Sequence, residues 1–165
     1  MKINPTISSL SIVLCWLIRS WALVGGLLLM IVVVINVVSN VGSAAWGKPF
    51  AGDFELTEIG VAVAAFCFLP YCQLTGSNVS ADIFTAKASA QMITVMAFFG
   101  NLTAFVFSLL LLWRMYYGLL DQKSYDYTTT ILQFPHWIAF IPILISLVLL
   151  AVAAFLNLTG VKANS

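Results

Sequence analysis

Charge is what this sequence has least of. Its 165 residues carry seven Lys or Arg, six Asp or Glu and one His, so charged side chains make up 8%. Soluble domains carry roughly 25%. The seven cations are scattered singly, which excludes the clustered basic footprint of a nucleic-acid-binding surface. Cysteine is also scarce. Cys15, Cys67 and Cys72 all lie in apolar stretches, and the five-residue separation of the last two turns them to different helix faces. Thiol exchange needs paired cysteines in loops, so these three read as small packing residues. The sole histidine, His136, cannot supply both axial ligands of a bis-histidine haem, and no other Cys or carboxylate is spaced with it as a metal site. No cofactor or metal is expected, and the chain does not read as an enzyme. Internal repeats and low-complexity segments are absent as well.

What fills the chain instead is apolar: 62% of residues are hydrophobic and the mean hydropathy is +1.05. The run Trp21 to Val41 holds about twenty uncharged residues, which at 1.5 Å per helical residue matches a hydrocarbon core of ~30 Å. Three more segments of this kind follow, giving expected spans at 21–41, 54–73, 92–113 and 137–158. The expected fold is an all-α membrane protein, one four-helix membrane domain over residues 1–165. Upstream, Ile7 to Ile18 is apolar again. There Ser8, Ser11, Cys15 and Arg19 share one helical face, and Ile7, Leu10, Leu14 and Leu17 another. This pattern suits an N-terminal interfacial helix, and equally one long tilted helix. Arg19 interrupts the first apolar segment and Ser43-Ala44-Ala45 lies too far downstream for cleavage, so no secretory leader is expected.

Aromatic residues mark the span edges: Trp16, Trp21, Trp46, Trp113 with Tyr116 and Tyr117, and Trp137. Four spans place both termini on one side. With the termini in the cytoplasm, Lys2, Arg19, Lys87 and Lys162 lie inside and Lys48, Arg114 and Lys123 outside, a slight positive-inside bias. The longest connection is expected from Tyr116 to Phe134. Pro70 and Pro142 each remove a backbone donor within a span.

Three of the acids gather at the start of the second span. Asp53 is placed as its N-cap, and Glu55 and Glu58 stand three apart on neighbouring positions. Two readings stay open for them: carboxylates favoured by the helix macrodipole, or contacts to a partner that shields Glu58 from lipid. Asn36, Gln73, Gln91, Asn101 and Asn157 are suited to interhelical hydrogen bonds, and Ala22 with Gly26 offers a small-residue strip for close approach. A self-sufficient secondary transporter usually shows paired repeats with broken helices at the midplane, and a four-helix exporter would need a carboxylate inside its first span. Neither is present, so the chain reads as a component. An autonomous small exporter or a membrane redox enzyme is the alternative.

The order of motifs resembles the small membrane subunit (Q type, DctQ-like) of tripartite ATP-independent periplasmic (TRAP) transporters. The resemblance rests on Asn36-Val37-Val38-Ser39-Asn40 closing the first span, Gly52-Asp53-Phe54-Glu55-Leu56 with Glu58 opening the second, and Leu69-Pro70-Tyr71-Cys72-Gln73 near its end. It is most specific over Gly76 to Thr85, and continues in Pro135-His136-Trp137. Two positions depart from the family pattern, Asn40 where Arg is frequent and Asn78 where His is frequent. The resemblance implies a bacterial inner-membrane scaffold subunit paired with a large multi-pass permease (M type) and served by a periplasmic substrate-binding protein (P type). It implies sodium-driven uptake of a small organic acid anion. The residues expected at partner contacts are Glu55, Glu58, Asn78, Asp82, Asn36 and Gly26.

Overall fold

The computed structural model describes residues 5–76 and 90–159. Four helices account for nearly all of them: α1 (Pro5–Trp46), α2 (Asp53–Thr75), α3 (Ala90–Ser124) and α4 (His136–Leu158). Each is long and apolar enough to cross a membrane. Among the described residues no strand forms, and an isolated antiparallel bridge joins Thr128 to Pro135.

The upstream apolar stretch continues into the first span without a break, so α1 is a single helix of 42 residues, about 63 Å long. Neither Gly nor Pro interrupts its sequence between Trp16 and Val24, which leaves no local reason to bend there. α3 differs from expectation at its C-terminal end. Residues 116–124, read as part of a loop, are helical because Leu111, Leu112 and Met115 pack on the core and Gly118 lets Phe140 of α4 approach. The connection to α4 is correspondingly shorter, beginning at Tyr125. At the start of α2, Asp53 is not the N-cap. Gly52 occupies that position in the left-handed region (φ 87°), and Asp53 is already helical. Gly76, also left-handed, ends the helix and donates back to the Cys72 and Gln73 carbonyls. Pro70 and Pro142 lie inside continuous helices.

The helices pack in the order α1, α2, α4, α3, each chiefly on its neighbours in that row, with α1 and α4 touching only lightly. The arrangement is an open layer. The inward positions of α1 are Ile18, Ala22, Gly25, Val32 and Ser39, alternating steps of four and three and then sevens, the spacing of a left-handed coiled-coil seam. Glycine allows close approach twice along this seam. A Cβ on Gly25 would lie 2.6 Å from the Cys67 Cβ, and one on Gly60 would lie 2.4 Å from a Val32 methyl. Between α2 and α4 the core is Val63, Cys67, Ile143 and Leu147.

A polar knot ties α1 to α4. Trp21 Nε1 donates to Ser146 Oγ at 2.8 Å, and Ser146 Oγ donates to the Pro142 carbonyl at 2.8 Å. Ser146 is 1% exposed, so removing its hydroxyl strands the indole N–H in an apolar setting. Ser146→Ala is expected to lower stability by about 0.6–1.7 kcal/mol in a detergent unfolding titration.

Candidate functional site

Two polar layers bracket the row of helices. The first gathers the C-terminal ends of α2 and α4 and an inner turn of α3 around Gln73, which is 4% exposed. Gln73 Nε2 donates to Asn101 Oδ1 at 2.8 Å, and Asn157 Nδ2 donates to the Gln73 carbonyl at 2.6 Å. Three helices are thus fixed at one level. Exposed Arg19 lies at the same level on α1, because its neighbour Ile18 packs with Leu74. Asn101 and Asn157 find partners on other helices, as does Asn36; the side chain of Gln91 lies outside the described residues.

The second layer closes the opposite end, where α1 gives way to α2 and α3 to α4. Asn36 Nδ2 donates to Thr57 Oγ1 at 2.7 Å, and Ser39 Oγ donates to the Asp53 carboxylate. The same Ser39 hydroxyl accepts the Phe50 N–H at 3.1 Å, which ties the α1–α2 turn onto its own helices. Thr57 Oγ1 in turn donates to the Asp53 carbonyl at 2.7 Å. Asn36 therefore serves the contact of α1 with α2.

Glu55 reaches the other turn. Its Oε1 accepts the Ile131 N–H at 2.7 Å and its Oε2 accepts the Leu132 N–H at 3.0 Å, so one carboxylate spans two consecutive backbone donors. The turn is preformed for this. Thr129 N–H donates to the Phe134 carbonyl, Phe134 N–H donates to Thr129 Oγ1, and His136 N–H donates to the Tyr127 carbonyl, each at 3.0 Å. Asp126 and Gln133 take positive φ at its two bends. Gly52 completes the fit, since a Cβ there would fall 2.5 Å from Leu132 Cγ. The two turns are held together by Glu55 on one side and this glycine on the other.

Glu58 has a different setting. It is exposed, and among the described residues it has no hydrogen-bond or ion-pair partner. It lines a shallow groove of about 550 Å³ with Phe54, Thr57, Val61 and Ala62. Phe54 beside it is 79% exposed. A carboxylate thus stands next to an exposed ring at the edge of an apolar groove. Gly26 sits on the flank of the α1–α2 seam, where a Cβ would meet Phe68 at an ordinary 3.9 Å; the closest approach belongs to Gly25 one residue earlier. Asn78 and Asp82 lie outside the described residues.

Sequence reasoning missed Ser39, Thr57 and the Ile131–Leu132 amides. A signal existed for the first, since Ser39 falls on the seven-residue step from Ile18 through Gly25 and Val32. The backbone donors left none. Among the described residues no group of three or more His, Cys, Asp or Glu is placed to hold a metal ion.

A family model described as the DctQ component of tripartite ATP-independent periplasmic transporters matches residues 37–161. No curated protein and no solved structure matches the chain.

Proposed function

Because the chain belongs to the DctQ family, the small permease component of TRAP transporters, and is a multi-pass membrane protein, we propose that it is a scaffold that carries no substrate itself. It would widen the membrane-embedded frame of a large multi-pass permease subunit, against which that subunit's transport element moves. A periplasmic binding protein would deliver the substrate, a small organic acid anion, and a sodium gradient would drive uptake. The setting is the bacterial inner membrane with both termini in the cytoplasm, which puts the Glu55 end on the periplasmic side. The family match over residues 37–161 carries this reading. The open row of helices supports it, because a layer one helix thick presents broad flanks to a neighbour. Of the two acids at the start of α2, Glu55 is engaged within the chain, and Glu58 is the one offered outward.

The test is a mild-detergent pull-down of the tagged chain from its native membrane, with the co-purifying proteins identified and weighed. A stoichiometric, very hydrophobic multi-pass protein is expected. A chain that purifies alone, folded and monodisperse, overturns the reading and favours an autonomous exporter. Charge reversal at Glu58 sharpens the result. Glu58→Lys is expected to reduce co-purified permease by at least about tenfold, and Glu58→Gln by less, as for a desolvated charge pair that loses one member.

A further inference from the structure

The levels set by the two polar layers do not suit α3. Along α1 they are marked by Arg19 and Ser39, twenty residues or about 30 Å apart, the thickness of a hydrocarbon core. The pairings that join α2, α4 and α3 carry these levels to Asn101 and about Asp121 on α3. Yet the apolar span of α3 runs from Met92 to Trp113, about 33 Å long and displaced toward the terminal end by some 10–14 Å. At one end of α3, residues 92–100 project past the Asn101 level with every side chain exposed, including Met92, Ile93, Met96, Phe98 and Phe99. At its other end, exposed Arg114 stands about 10 Å inside the opposite level, seven residues before Asp121. Among the described residues Arg114 has no hydrogen-bond or ion-pair partner.

The chemistry around Arg114 is that of a headgroup boundary. Trp113, Tyr116 and Tyr117 are exposed beside it and packed edge to face on one another. Such rings collect where hydrocarbon meets headgroups. Below Arg114 on the same helical face lie Leu110, Phe107, Thr103, Phe99 and Met96, all exposed. The one hydroxyl among them donates to its own helix, Thr103 Oγ1 to the Phe99 carbonyl at 2.9 Å, so the face is apolar along its length. α1 also continues past Arg19 with exposed Leu17, Trp16, Val13 and Ile12 before its sequence turns to Ser11, Ser9, Ser8 and Thr6. α1 and α3 thus both carry apolar surface past this level, and α3 alone pairs it with an exposed cation at its other end.

We propose that this face of α3 is a phospholipid site: Arg114 holds a headgroup phosphate, and acyl chains lie along the stripe that begins at Leu110 and Phe107. The site requires no transport partner and stands apart from the function proposed above.

The experiment places spin labels at Met96→Cys and Tyr117→Cys. Cys15 and Cys72 are replaced by Ser, and buried Cys67 is left in place. The chain, with any subunit that co-purifies, is reconstituted in nanodiscs of phosphatidylethanolamine and phosphatidylglycerol. Collisional depth is read from oxygen against a water-soluble nickel complex. The expected result is a hydrocarbon depth at 96 and a headgroup depth at 117. Water at 96 with hydrocarbon at 117 overturns the proposal, as does shielding of either label from both relaxants, which would mean that protein covers the face. Native mass spectrometry supplies the second readout. Arg114→Gln is expected to retain about fivefold less phosphatidylglycerol, and Arg114→Lys to retain it as the unaltered chain does. Equal retention by Arg114→Gln overturns the role of the guanidinium.

Discussion

Gly25→Ala is expected to destabilise the protein by about 1–3 kcal/mol, the usual cost of forcing extra volume into a packed seam. The added Cβ would lie 2.6 Å from the Cys67 Cβ and 3.3 Å from the Ala64 carbonyl, and neither atom is the movable end of a flexible side chain. α1 must therefore lift away from α2, and the seam from Ile18 to Ser39 loosens with it. Gly26→Ala serves as the control, since its Cβ meets Phe68 at 3.9 Å, and is expected to be near neutral. A second-site test separates backbone approach from side-chain crowding. Cys67→Gly should restore much of the stability lost in Gly25→Ala, whereas Cys67→Ala should not, because the colliding atom is Cβ and not sulfur. Denaturant or thermal unfolding in detergent measures all four; equal behaviour of Gly25→Ala and Gly26→Ala would refute the close approach.

Glu55→Ala is expected to release the turn between α3 and α4. The two amides that its carboxylate accepts are consecutive, so one substitution removes both tethers between this turn and α2. Hydrogen exchange at Ile131 and Leu132 should speed by at least about tenfold, since exchange reports local opening. Amides within α4 should keep their protection. Glu55→Gln retains one acceptor oxygen but turns an NH2 group toward the second donor, so it is expected to protect one of the two amides and not both. Gly52→Ala attacks the same junction from the other side, by strain at φ 87° and collision with Leu132. Its exchange pattern should resemble that of Glu55→Ala. Unchanged exchange in both variants would show that the turn holds its shape without α2.

The four spans were legible because membranes impose a coarse rule, a run of apolar residues about as long as the bilayer is thick. That rule says nothing about where a helix stops once it leaves the hydrocarbon. For this reason α1 and α3 proved longer than their apolar cores, and Gly118 against Phe140 kept α3 helical past Trp113. The polar residues within spans were readable as bridges from their type alone, and Asn36, Asn101 and Asn157 each bond to another helix. Their partners were not readable, since Gln73 offers both an amide and a main-chain carbonyl and only the order of helices decides which neighbour takes which. The roles of Glu55 and Glu58 were equally hidden. Three residues apart on one helix, they differ because a turn more than seventy residues later brings its N–H groups to the first and leaves the second free.

The order in which the helices lie differs from the order in which a ribosome makes them. α3 is synthesised third, but the helix it packs against is the fourth, and α4 takes the place beside α2. During insertion α3 thus enters the bilayer before the surface that will receive it exists, with the Gln73 to Asn101 hydrogen bond tying it to the first two. The last helix to emerge joins the α1–α2 hairpin to the waiting α3, and a chain stopped before His136 would leave α3 without its main neighbour.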